Sequence, residues 1–314
     1  MPKHFPTFVS VFESVKAINQ FMTARSTVHH IFRGHADLEI KTPGKTRFFS
    51  NFITLERTMQ LRAAFEKTLI DESFTEYVSL QDGDYRVEAS NVRTVVLSNE
   101  FWEHVEQLIL LMKPAVDFIN EVNGNSASTG EIWKRCQMIR DALNNIPVSN
   151  LITPRIKTGL KKLWQKRATQ MLNDFRITAY ILNPRYLDER LDDDSMMESF
   201  HSVLARMVGD EQYEAACNEF VRFRRQFQLS PKAVELKETM SGSNWWQMFG
   251  HHFPVLKKVA VKLLSQVNTS SVAERNWSVQ KFIHCPRRNR LTVDRARKLI
   301  YVYENLRLLQ KISA

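Results

Sequence analysis

Apolar residues return at every third or fourth position along most of this chain, and almost no glycine interrupts them. Phe8, Val11, Val15, Ile18 and Met22 set the pattern. That spacing puts them on one side of an α-helix and predicts one or two amphipathic helices near the start. Phe253, Leu256, Val259, Ala260, Leu263 and Leu264 repeat it late in the chain, and Leu299, Val302, Tyr303, Leu306 and Leu309 repeat it again. Nine glycines against twenty phenylalanines in 314 residues argue against a sandwich or barrel, whose tight turns consume glycine. The expected fold is mainly α.

Turn and cap residues divide the pattern. Pro43-Gly44 predicts a turn before a helix that starts at Ser50. The polar stretch that follows residue 79 reads as turn-rich, with a short strand at Val92–Leu97. Ser98 is suited to cap a helix carrying Trp102, Val105, Ile109, Met112, Val116 and Ile119 on one face. Pro114 should kink that helix, and Asn123-Gly124 should end it. Further helices are expected around 131–143 and 156–172, with a break at Asn183-Pro184. Asp192, Asp193 and Asp194 read as the acidic start of another helix in preference to a metal site, because three neighbouring carboxylates do not converge on one point. His251 and His252 are weak metal candidates, since adjacent helical residues point about 100° apart.

Charge narrows the function. The net charge is +10, and residues 269–314 hold ten Lys/Arg against three Asp/Glu. A second basic run, PRIKTGLKKLWQKRAT, has six cations and no acid between Pro154 and Thr169. Such runs attract polyanions or serve as solvated helix faces. The mid-chain apolar run Leu108–Met112 is far too short for a membrane span, so no membrane partner is expected. Cys136, Cys217 and Cys285 are odd in number and lie far apart, which suits a reducing compartment and offers no cysteine zinc site. Trp245-Trp246 could stack on nucleic-acid bases, but a tryptophan pair before a helix belongs more often to a core.

Within the basic C-terminal region stands SSVAERNWS, residues 270–278, with the single carboxylate Glu274 beside Arg275. Three roles are open to Glu274: a salt-bridged surface group, a helix-capping charge, or one ligand of a metal site. SSVAERNWS, followed by IHCPRRNRLTVDRARKLIYVYENLRLL, resembles the C-terminal segment of hAT-superfamily transposases. PGKTRFFSNF, LLMKPAVDFI, YILNPRYL and NWWQMFG fit weaker elements of the same family in the same order.

The resemblance implies a helical insertion domain at 37–240 and a C-terminal dimerisation region at 241–314. Residues 1–36 would be a helical remnant of an RNase H-like domain that is incomplete here. It implies that Glu274 occupies the position of the family's catalytic glutamate. The two aspartates that complete the family's metal-binding trio correspond to segments upstream of this sequence. One carboxylate does not position two metal ions, so the expectation is a catalytically incomplete protein, not an enzyme, with no cofactor. Mg²⁺ or Mn²⁺ would enter only if the missing aspartates were supplied. The alternative is an active, strand-cleaving transposase whose N-terminal part is missing from the gene model. Non-specific DNA contact is assigned to Arg275, Arg287, Arg288, Arg290, Arg295, Arg297 and Lys298. Dimerisation is assigned to Leu299, Val302, Tyr303, Leu306 and Leu309, with a homodimer or a full-length hAT transposase as partner. The expected compartment is the nucleus.

Overall fold

The computed structural model of the chain describes residues 5–42, 50–122, 129–191, 193–266, 277, 279, 281–283 and 291–312. The fold is mainly α, with no strand among the described residues. No described helix is long and apolar enough to cross a membrane. The chain divides into two compact units: Met1–Phe118 with Arg135–Met171, and Ile119–Lys134 with Leu172–Ala314. These units are defined by packing, whereas the expected boundaries after residues 36 and 240 follow family modules.

The first unit begins with α1 (Pro6–Ala24) and α2 (Ser26–His35), followed by α3 (Ser50–Gln60), α4 (Arg62–Ile70), α5 (Glu72–Ser79) and α6 (Gly83–Val96). Pro6 starts α1, where its missing N–H has no helical partner to lose. The predicted stripe Phe8, Val11, Val15, Ile18 and Met22 is buried, joined by Phe21. Phe21 stacks on Tyr85 of α6 at 5.4 Å, and Phe32 of α2 stacks on Phe65 of α4 at 5.2 Å. Val28 and Leu69 complete this aromatic-rich core.

The expected strand at Val92–Leu97 is corrected to the C-terminal end of α6 and its cap residue Leu97. Asp82 caps that helix by accepting the Tyr85 amide at 2.7 Å, and Tyr85, Ala89, Val92 and Val96 then form a buried stripe. The β-branched run favours a strand when read alone, but the four-three-four spacing back to Tyr85 only suits a helix.

α7 (Asn99–Val122), α8 (Ile132–Asn145) and α9 (Pro154–Met171) follow, and the division between units falls within α7 and α8. Ser98 caps α7 as expected, its hydroxyl 3.4 Å from the Phe101 amide. The helix runs on through Pro114. Its buried stripe contains Leu108 and Leu111, while Ile109 and Met112 are only half-buried. The Trp102 indole N–H donates to the Val96 carbonyl at 2.7 Å and ties α7 to the end of α6. The predicted Pro43-Gly44 turn and Asn123-Gly124 stop lie outside the described residues.

The second unit contains a 3₁₀ turn at Thr129–Glu131, α10 (Asp174–Ile181), a 3₁₀ turn at Pro184–Tyr186, α11 (Asp194–Val208) and α12 (Asp210–Arg224). α13 (Pro231–Leu236), α14 (Gly242–Phe249), the 3₁₀ turn Gly250–His252, α15 (Pro254–Leu264) and α16 (Val293–Ile312) complete it. Asn183-Pro184 breaks α10 as expected, with the Asn183 side chain accepting the Arg185 amide. Asp193 caps α11 by accepting the Ser195 amide at 2.9 Å.

The core of this unit is aromatic. Phe223 lies 4.6 Å from Trp246 and 6.0 Å from both Trp245 and Phe253. Trp245 and Trp246 are fully buried, and their indole N–H groups donate to the Ala233 and Leu182 carbonyls. The tryptophan pair is therefore core, and base stacking is excluded for it. The α15 stripe from Phe253 to Leu264 is buried against the same cluster.

Candidate self-association surface

α16 begins where Thr292 offers its hydroxyl to the Arg295 amide at 3.4 Å, with Asp294 in the first turn where the helix dipole favours an acid. Lys298 pairs with Asp294 at 3.0 Å across one turn, and both side chains are about three-quarters exposed. Such a pair helps hold the helix but contributes little to stability.

The five residues singled out for association all sit on this helix, each about half exposed: Leu299 at 45%, Val302 at 51%, Tyr303 at 48%, Leu306 at 55% and Leu309 at 59%. At 100° per residue they fall within an arc of about 120°. Ala296, on the neighbouring face, is buried. The contrast with α15 is sharp. Both helices carry a stripe at helical spacing, yet one is sealed into the tryptophan cluster and the other meets solvent. A contiguous apolar stripe on a helix surface marks an interaction site.

The predicted cations divide into two groups. Arg295, Arg297 and Lys298 lie exposed in the first two turns of α16. Arg275, Arg287, Arg288 and Arg290 fall outside the described residues, as does Glu274. Among the described residues no group of three or more His, Cys, Asp or Glu could hold a metal ion. His251 and His252 are exposed, their rings 4.0 Å apart in a 3₁₀ turn. Asp82 and Asp193 spend a carboxylate oxygen each on a helix cap, and Asp84 and Asp194 occupy first-turn positions.

The second unit also holds a partly buried polar lattice that periodicity does not reveal. Glu189 accepts from Lys134 at 2.6 Å and from the Tyr180 hydroxyl at 2.7 Å. Burial on its own would raise the Glu189 pKa, but the hydrogen bonds from Lys134 and Tyr180 outweigh it and hold the carboxyl below its ordinary value. Burial first, and then the bond to Glu189, push the Tyr180 hydroxyl well above the phenol range. Arg224 donates to the Tyr186 and Glu189 carbonyls, and burial lowers its pKa. Arg185 bonds Glu131 at 2.7 Å and the Glu238 carbonyl at 2.8 Å. Glu219 of α12, 5% exposed, accepts the Leu256 amide at 2.8 Å and so caps α15 from a distance. Long-range pairs such as these join elements whose order in the chain does not announce them.

A half-exposed stripe on α16, behind a segment rooted in an aromatic core, has the form that a helical association surface would take. Residues 223–306 match the family model of the hAT family C-terminal dimerisation region. The matched segment runs from Phe223 at the centre of the aromatic cluster into α16, and it is similar to an hAT dimerisation region. SSVAERNWS and NWWQMFG both lie within the matched span. No curated protein matches the chain.

Proposed function

We propose that this is an hAT transposase-derived protein that works by association, through the α16 stripe, with a second copy of itself or with a full-length hAT transposase. The carrying observation is the half-exposed line from Leu299 to Leu309 inside a matched dimerisation region. Burying such a stripe in a partner removes apolar surface from water at about 25 cal/mol per Å².

The chain as given does not cut DNA on this proposal. Glu274 is assigned to the family's catalytic position by resemblance, and its neighbours in sequence are Ala273 and Arg275, so no second carboxylate adjoins it. The described aspartates Asp82, Asp84, Asp193 and Asp194 sit at helix starts where the dipole already uses them. Two-metal strand transfer needs carboxylates converging on ions about 4 Å apart. The basic residues Arg275, Arg287, Arg288, Arg290, Arg295, Arg297 and Lys298 would add a sequence-independent attraction to DNA phosphates in the nucleus.

Light scattering coupled to gel filtration tests the association. The chain should be dimeric at micromolar concentration, and Leu306→Asp should shift it towards monomer with unchanged helical circular dichroism. A monodisperse monomer across that range overturns the proposal. Metal-dependent nicking by the purified chain, lost in Glu274→Gln, would overturn its catalytic half.

A further inference from the structure

The basic run between Pro154 and Thr169 is α9, and the association reading leaves it without a role. On this helix Leu160 is 1% exposed, while Ile156, Leu163 and Trp164 are half-buried, so the apolar face is turned into the protein. Arg155, Lys162 and Lys166 are exposed. Their spacing of seven and then four residues places them within about 40° of one another, in line along the helix, at axial steps of about 10 and 6 Å. Lys161 and Arg167 are also exposed, and α9 contains no acid from end to end. None of Arg155, Lys161, Lys162 or Lys166 forms an ion pair among the described residues. Pro154, Thr158, Gln165, Thr169 and Gln170 fill the remaining exposed positions of the helix.

We infer that the exposed ridge of α9 is a second polyanion site, which binds the phosphate backbone of duplex nucleic acid without reading its sequence. Charge complementarity selects the occupant. A membrane-surface helix must insert its apolar face, and here that face is already packed. A protein partner would need apolar or aromatic anchors, and the exposed ridge offers only Lys, Arg, Thr and Gln. A single-strand site needs aromatic platforms, yet Trp164, the one aromatic residue of α9, belongs to the half-buried face. Lys, Arg, Thr and Gln are the side chains that contact duplex phosphates.

The inference does not depend on α16 and has its own readout. Fluorescence anisotropy with an arbitrary 20-base-pair duplex, read from about 50 to 200 mM salt, compares the intact chain with two variants. Arg155→Gln/Lys162→Gln/Lys166→Gln should weaken binding by about tenfold or more and flatten the salt slope by about 0.9 for each phosphate that is no longer neutralised. Arg295→Gln/Arg297→Gln/Lys298→Gln controls for the C-terminal cations and should leave the α9 contribution in place. If the triple α9 variant fails to fold, Lys162→Gln and Lys166→Gln singly should each remove part of the slope. An α9 variant that binds as the intact chain does overturns the assignment. So does absence of duplex binding at the lowest salt, or tighter binding to anionic vesicles or to a single strand of equal length.

Discussion

At the scale of single residues, two glycines show how far position outweighs type. A Cβ on Gly130 would sit 2.7 Å from both the Ala179 carbonyl oxygen and a Leu264 methyl, and 3.0 Å from the Asn183 amide. Backbone oxygen cannot yield as a side-chain tip can. Gly130→Ala should therefore cost about 1–3 kcal/mol, seen as a lower denaturation midpoint. Gly34 lies inside α2 with nothing within 4 Å of the same Cβ. Gly34→Ala should stabilise by about 0.4–1 kcal/mol, because it removes only unfolded-state freedom. Both are lone glycines in polar surroundings, and nothing in the sequence separates them. The tryptophan pair is different. Its place before a helix already favoured core, and the bonds its indole N–H groups donate to the Ala233 and Leu182 carbonyls supply the reason it can be buried.

At the scale of elements, caps decide where the chain turns into helix. Asp82 lies before a stretch that reads as loop and strand, and its bond to the Tyr85 amide commits the stretch to α6. Asp82→Ala should destabilise the protein by about 1 kcal/mol in chemical denaturation, with a small loss of helical signal. The long periodic segments were legible: α1, α7, α15 and α16 begin or continue where spacing and caps predict. The internal stripe of α7 was less so, because Leu108 to Met112 are apolar all round and periodicity cannot choose among them. The stripes on α15 and α16 were equally visible in sequence. Which of them met the tryptophans and which met solvent depends on the partner helices, and pattern alone carries no information on partners.

At the scale of the whole molecule, stability is tied to acid through a few carboxylates. The hydrogen bond from His35, at 2.9 Å, and then the Ser73 amide hold the Asp71 carboxyl below its ordinary value. The Ser195 hydroxyl and amide do the same for Asp193, and Glu189 is lowered by Lys134 and Tyr180 against the cost of burial. A carboxyl whose folded pKa is depressed lends stability that is complete above its unfolded value and is lost as pH falls through the folded one. Thermal melts should therefore hold steady near neutrality and decline below about pH 4–5, and Glu189→Gln should make that decline shallower. A melting temperature that rises on acidification would contradict the sign.

The sequence by itself determined a helical protein, because period and cap chemistry are local and each helix carries them within about a dozen residues. It also carried the likeness to the hAT dimerisation region, because residues 223–306 match that family model as a linear pattern. Glu274 and four of the seven proposed DNA-contacting residues lie outside the described residues, so their identities rest on sequence. Only the tertiary structure decided what was buried. It sealed Trp245 and Trp246, assembled Glu189, Lys134, Tyr180 and Arg224 from distant segments, and left the faces of α9 and α16 open. Burial is a property of pairs of surfaces, and a single strip of sequence specifies only one member of each pair.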